Sequence, residues 1–415
     1  MTVLEQQGAA ARAAARILAT AGSSLKDKAL TAMADALIDG MDEWLEGNRL
    51  DMEKARADGM SQALQDRLLL TEERIRGIAD GIRAIVSLPD PIGRVDRMET
   101  RPNGLIIGRR TVPLGVIAII YEARPNVTAD AAALCLKSGN ACILRGGKEA
   151  FRSNQAAVRL MRRALVSAGL PEDCIALVQD TTRESASELM HMNEYVDVLI
   201  PRGGAGLIRA VASQASVPVI RTGEGVCHVY VDAAADLDMA ARILYNAKCS
   251  RPSVCNAAEC VLIHEAAAAD FLPKAVSLLD RCGTELRCDE ASLALLGSRG
   301  VPATDEDWDA EYGDYILAVR VVAGMDEAIA FINEHGTGHS ECIVTNDYSA
   351  AQRFLDEVDA AAVYVNASTR FTDGGEFGMG AEIGISTQKM HARGPMGLEE
   401  LTSRKYVIYG SGQVR

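Results

Sequence analysis

Residues 247–257, Ala-Lys-Cys-Ser-Arg-Pro-Ser-Val-Cys-Asn-Ala, join a helical run at 237–247 to an apolar run at 261–263. A thiol on such a junction, among cations and small residues, has the partial exposure and positive surroundings that favour the thiolate. Lys248 and Arg251 are the expected sources of that charge, and Cys255 is the expected nucleophile. Its chemistry would be attack on a carbonyl carbon, holding the acyl group as a thioester. Cys135, Cys142, Cys227 and Cys342 sit among apolar neighbours and read as core. Cys255 differs because Pro252, Ser253 and Asn256 surround it with loop-forming residues. The ten cysteines form no Cys-x-x-Cys pair and no cluster with histidine at zinc spacing, so no metal is expected.

Two other segments suit an anion. Pro201-Arg202-Gly203-Gly204-Ala205-Gly206 lies where an apolar strand meets a helix, and Arg145-Gly146-Gly147-Lys148 ends another strand. Glycines there let the backbone approach a ligand, and a helix N-terminus favours negative charge. Gly146, Gly203, Gly204 and Gly206 are the expected cradle of a nucleotide, and a plain tight turn is the alternative. Arg145 and Lys148 would meet an adenosine 2′-phosphate, favouring NADP over NAD; two solvated charges are the alternative.

These segments need elements to hold them. Residues 3–86 read as helices, with Ser23-Ser24 and Thr71 as helix starts. Asn103-Gly104 between two strand-like runs, 94–100 and 105–111, predicts a hairpin. From residue 112 strands alternate with helices: strands at 114–120, 141–144, 175–178, 196–200 and 217–220, helices between them. That is the pattern of a parallel sheet covered on both faces. A second alternating series runs from residue 228 to 365 and contains Cys255. Residues 379–397 read as a glycine-rich loop, and 405–409 as a terminal strand able to join the hairpin edge.

The fold class is therefore α/β, with two parallel-sheet α/β domains and a projecting β oligomerisation element. Residues 1–225 are expected to form a nucleotide-binding domain with an N-terminal helical layer, interrupted by the hairpin 94–111. Residues 226–360 form a catalytic domain, and 94–111 with 361–415 the oligomerisation hairpin, crossover and C-terminal strand. The exposed edge predicts a homo-oligomer. The 415 residues carry a net charge of −14, which argues against a nucleic-acid partner. No apolar run reaches the ~18 residues of a membrane span. The N-terminal segment lacks a secretory pattern, and scattered thiols point to a reducing cytoplasm.

A nucleotide domain of five strands followed by a cysteine-bearing α/β domain resembles the aldehyde dehydrogenase superfamily. Within it, residues 322–343, VAGMDEAIAFINEHGTGHSECI, are similar to the characteristic segment of the gamma-glutamyl phosphate reductase family. The likeness includes His335-Gly-Thr-Gly-His339-Ser-Glu341, although Phe331 stands where that pattern carries a histidine. Blocks 113–154, 221–231 and 366–387 share the resemblance. It implies an aldehyde dehydrogenase-like fold and the reduction of L-glutamyl 5-phosphate by NADPH to L-glutamate 5-semialdehyde, with release of phosphate, in proline biosynthesis. Glutamate 5-kinase is then a candidate partner. The resemblance puts Cys255 at the family's nucleophile and Asn126, in Glu122-Ala-Arg-Pro-Asn126, at its oxyanion amide. Arg251, Arg370, His335 and His339 become candidates for binding substrate or nucleotide.

One departure bears on the reaction. Hydrolytic aldehyde dehydrogenases carry a water-activating glutamate in an E-L-G-G-K-like run. Here the run is Thr222-Gly-Glu-Gly-Val226; with Gly225 matched to the last glycine, Thr222 takes the glutamate's place. That suits a thioester meant to meet hydride rather than water. Glu224 keeps open the alternative of an NAD-dependent enzyme that oxidises an aldehyde to a free acid.

Overall fold

A computed structural model describes all 415 residues except the side chain of residue 63. The chain forms two units. One comprises Met1–Thr222, Gly378–Gly384 and Met396–Arg415; the other comprises Gly223–Phe377 and Ile385–Pro395.

The first unit opens with helices Val3–Leu18, Ser23–Asp39, Met41–Ala57, Gln62–Leu68 and Glu72–Ser87. Thr2 and Glu5 cap the first reciprocally: Thr2 Oγ1 accepts the Glu5 N–H, and the Glu5 carboxylate accepts the Thr2 N–H. Thr71 caps the fifth as expected. Ser23 does not cap the second. It lies inside the helix, Gly22 is the cap residue, and the Ser23 hydroxyl donates to Asp90 Oδ2 at 2.8 Å.

Four parallel strands follow, in the order Ile175–Leu177, Ala141–Gly146, Val116–Tyr121, Val198–Arg202. The expected fifth strand at 217–220 is reduced to an isolated bridge between Leu199 and Val219. Pro218 sits in its middle and has no N–H to extend the ladder. Val116–Tyr121 is buried along its whole length, as its unbroken apolar run requires. A separate antiparallel sheet pairs Val95–Thr100 with Ile106–Pro113, and the latter with Thr402–Tyr409. Met98, Tyr406, Ile408 and Tyr409 remain exposed on it.

The second unit holds seven parallel strands. Their order is Gly300–Pro302, Glu285–Cys288, Ile316–Val322, Ala258–His264, Cys227–Val231, Ser340–Val344, Ala362–Val365. Side chains alternate between two buried faces. Val229, Val231, Val261, Ile263 and Val344 enter one core, while Tyr230, Cys260, Leu262 and Ile343 enter the other. Glu285–Cys288 and Gly300–Pro302 were not among the expected strands. They are short and carry Glu285, Arg287 and Pro302, with Gly300–Pro302 forming the sheet edge, so they lack an apolar run. Cys255 lies between helix Leu237–Cys249 and strand Ala258–His264, at the amino end of that strand.

One buried charge cluster joins the helical layer to the loop that follows it. Lys26, 0% exposed, meets Asp90 at 2.5 Å and donates to the Lys137 carbonyl at 3.0 Å. Burial pushes the Asp90 carboxyl up, but Lys26, the Ile92 N–H and the Ser23 hydroxyl outweigh it and leave the group below its ordinary value. Asp90→Asn would strand Lys26 without its counter-charge, and the expected loss is about 3 kcal/mol by urea unfolding at neutral pH. The Asp90 contribution is present above the unfolded aspartate value, about pH 4, and is lost as pH falls through the lower folded value. The gap between native and variant stability should therefore close in acid.

Candidate active site

The segment carrying Cys255 is fastened at several points. Ser250 donates its hydroxyl to the Asn246 carbonyl at 2.7 Å, and Ala257 N–H bonds back to Val254 O at 3.0 Å. Asn256 is buried and ties the segment to residues 369–372: Nδ2 donates to Thr372 O at 3.0 Å and to Arg370 O at 3.3 Å. Its carbonyl accepts from Thr369 Oγ1 at 2.7 Å, and its Oδ1 accepts from the Arg370 guanidinium. The Cys255 carbonyl accepts the Cys227 thiol at 3.2 Å. Burial, reinforced by Glu341, pushes the Cys227 thiol well above its usual range, so it stays a donor. Gly225 completes the packing. A Cβ there would fall 1.5 Å from the Cys255 carbonyl oxygen, so only glycine permits this approach. Its N–H donates to Glu311 Oε1 at 3.1 Å.

Cys255 is half-buried; every other cysteine except Cys282 is buried. The charge around it is not the one expected. Lys248 is 0% exposed and its Nζ lies 2.5 Å from Glu259 Oε2, so its charge is answered inside the fold. The cations near Cys255 are instead Arg251, exposed, on the segment itself, and Arg370, half-buried, on the stretch tied to it. Arg370 Nε donates to Ser250 Oγ at 3.1 Å. Burial lowers the Arg370 pKa, and the like charge of Arg251 lowers it further.

The two histidines separate. His339 is buried, with Nδ1 2.8 Å from Ser340 Oγ and 3.8 Å from Cys227 Sγ. Ser340 Oγ continues to Thr372 Oγ1 at 2.6 Å, and Thr372 to Tyr364 OH at 2.7 Å. His339 thus reaches the Cys255 carbonyl through Cys227. His335 is engaged elsewhere, 2.8 Å from Asp309 Oδ1 and tilted against the Phe331 ring with the ring centres 4.3 Å apart. Cys227 and Glu311 were not among the expected site residues. Their contacts join residues 28 and 86 positions apart, and no local pattern marks them.

In the first unit the expected anion segments do come to one sheet edge. Gly146 and Arg202 both pair with Tyr121, so the turns that follow them are neighbours at the carboxyl ends of the strands. Gly203 and Gly204 receive a carboxylate from the chain itself: Gly204 N–H donates to Glu122 Oε2 at 2.9 Å, and a Cβ on Gly203 would meet that oxygen at 2.5 Å. A Cβ on Gly146 would meet Asn154 Nδ2 at 2.1 Å, whereas Gly206 faces open space. Arg145 Nη2 donates to the carbonyls of Thr181 and Thr182 at 2.7 and 2.8 Å, leaving Lys148 as the exposed cation of the two. The Arg145 Nε is buried with no partner among the described residues. Such an orphaned donor beside glycines at strand ends fits a phosphorylated ligand. Asn126 starts the helix Pro125–Lys137 at the same edge, exposed, with Nδ2 3.1 Å from Asp130 Oδ2. Burial pushes Asp130 up to about 6 against the pull of Asn126 and Arg202.

The aldehyde dehydrogenase family pattern matches residues 4–291 and 300–407. A gamma-glutamyl phosphate reductase of Halothermothrix orenii is 56% identical over 100% of both chains. One of Heliobacterium modesticaldum is 59% identical over 99% of both. The crystal structure of gamma-glutamyl phosphate reductase from Thermotoga maritima superposes with a TM-score of 0.97 at 47% identity, covering 100% of each chain. The chain accordingly belongs to the aldehyde dehydrogenase family, among its gamma-glutamyl phosphate reductases.

Proposed function

We propose that this enzyme reduces L-glutamyl 5-phosphate to L-glutamate 5-semialdehyde with NADPH, through a thioester on Cys255, in proline biosynthesis. The observation that carries the reading is the Cys255 segment: a half-buried thiol, its carbonyl seated on Gly225, beside two arginines. Arginines set side by side repel one another, and an anion between them relieves the cost. Arg251 and Arg370 are thus the proposed partners of the substrate phosphate or carboxylate, and they favour the thiolate.

Cys255 Sγ attacks the acyl phosphate carbon. The Cys255 N–H takes up the oxyanion, a contact worth about 3 kcal/mol per donor. Asn126 is the second donor on the family resemblance. Phosphate is a good leaving group, so no strong acid is needed. Lys148, Arg145 and the glycines Gly146, Gly203, Gly204 and Gly206 would hold NADPH, which would supply the hydride. Cys255 is then released as the aldehyde forms. Thr222 supports reduction over hydrolysis, because its hydroxyl is buried and donates to Pro201 O at 2.9 Å, and it offers no base. The first unit is the proposed nucleotide-binding part and the second the catalytic part. His335 and His339 receive no substrate contact in this scheme.

The reverse reaction gives the test. Semialdehyde with NADP should reduce the cofactor only when phosphate is present, and NAD should serve less well; phosphate-independent turnover would favour the hydrolytic alternative. Cys255→Ala should lose about 10³-fold or more in kcat while remaining folded. Gly225→Ala should force the Cys255 carbonyl aside and cost about 10²-fold in kcat, measured beside a melting curve to separate displacement from unfolding. The antiparallel sheet, with Tyr406, Ile408 and Tyr409 exposed, is the proposed contact between copies. Sedimentation at micromolar concentration should show an oligomer, and a monomer there would remove that role.

A further inference from the structure

We infer that the buried Lys248–Glu259 ion pair is a positioning device for Cys255, closing the two ends of the nucleophile segment on each other. The inference rests on Cys255 being the nucleophile. Lys248 is the penultimate residue of helix Leu237–Cys249, and Glu259 the second residue of strand Ala258–His264. Residues 249–258 lie between them, so a single salt bridge spans the segment's base. The two side chains are 0% and 1% exposed and meet at 2.5 Å.

The pair is also linked to the residue that packs on the Cys255 carbonyl. Glu259 Oε1 accepts the Gly313 N–H at 3.3 Å. Two residues earlier, Glu311 accepts the Gly225 N–H, and Gly225 abuts the Cys255 carbonyl. Between them the Tyr312 ring lies 5.9 Å from Lys248 Nζ, and its hydroxyl donates to Asp307 Oδ1 at 2.8 Å. A circuit therefore runs from Lys248 through Glu259, Gly313, Glu311 and Gly225 back to Cys255. Burial pushes Glu259 up to about 7 despite the pull of Lys248. A buried ion pair is often replaceable by apolar packing without loss of stability, whereas its direction and length are specific. Its place at the base of this one segment is the reason to assign it position rather than strength.

The test compares Lys248→Met/Glu259→Met and Glu259→Gln with the unaltered enzyme. The readouts are melting, kcat and KM in the phosphate-dependent assay, and the iodoacetamide labelling ratio of Cys255 to Cys282 by peptide mass spectrometry. The double variant should melt close to the unaltered enzyme yet lose about tenfold or more in kcat with little change in KM. Its Cys255 labelling ratio should drop about fivefold or more, and Glu259→Gln, which leaves Lys248 buried without its counter-charge, should show a loss of the same kind together with a lowered melting temperature. A folded double variant with unaltered kcat and labelling ratio overturns the inference. So does a double variant that fails to fold beside a Glu259→Gln enzyme of unaltered kcat and labelling ratio. Full turnover by Cys255→Ala would instead remove the nucleophile reading, while the melting and labelling of the ion-pair variants still report whether the pair holds the segment.

Discussion

The carbonyl of Cys255 leaves no room for a side chain at residue 225. This exclusion couples two stretches of chain: the turn entering strand Cys227–Val231 and the loop entering strand Ala258–His264. The strands are parallel neighbours, so their amino ends lie together. Cys227 then comes under the same carbonyl and supplies its hydrogen bond. Seen this way, Gly225 is not a flexible joint. It is the absent Cβ that lets the backbone at 225 approach the Cys255 carbonyl, and Asn256 fastens the loop to residues 369–372.

The electrostatics follow from the same topology. Lys248 stands in the last turn of its helix, where a cation answers the carbonyl end of the helix dipole, and Glu259 on the adjoining strand answers Lys248. Both charges are consumed within the core. Positive potential at the proposed thiolate would then come from Arg370, which interacts electrostatically with Cys255, and from its neighbour Arg251. Arg370 arrives from a segment more than a hundred residues away, brought by its bond to Asn256.

Much of the architecture was legible in residue patterns. Unbroken aliphatic runs such as Val116–Tyr121 announce strands buried on both faces, and Asn103-Gly104 announces the hairpin. Pro218 should have demoted the fifth strand, since a residue without an N–H cannot serve a central ladder. The site was legible only where one stretch carries it. Cys255 stands out among loop-forming neighbours, but the fate of Lys248 depends on Glu259, eleven residues on and across a turn. Cys227 looked like core and is core; its hydrogen bond to the Cys255 carbonyl arises from strand pairing, which local sequence does not encode. The glycines at 203 and 204 were rightly placed at a helix start, yet the carboxylate they receive in the fold is that of Glu122.

The two units use opposite ends of their sheets, and the chemistry explains the difference. Ligands in open α/β sheets collect at the carboxyl ends of strands, where helix N-termini point at bound phosphate. Gly146, Lys148 and residues 203–206 occupy that end in the first unit. Cys255 lies instead at the amino end of its strand, just after a helix C-terminus. A thiolate there receives no help from the helix dipole, which is negative at that end. For the proposed nucleophile the positive charge comes instead from arginine side chains: Arg370 lies within electrostatic reach of both Cys255 and Arg251. In the proposed reaction, a nucleophile that must also release its acyl group gains from this arrangement. Side-chain cations that can pair with an incoming anion favour the thiolate without the fixed, always-present field of a helix N-terminus, so attack and expulsion remain comparably accessible.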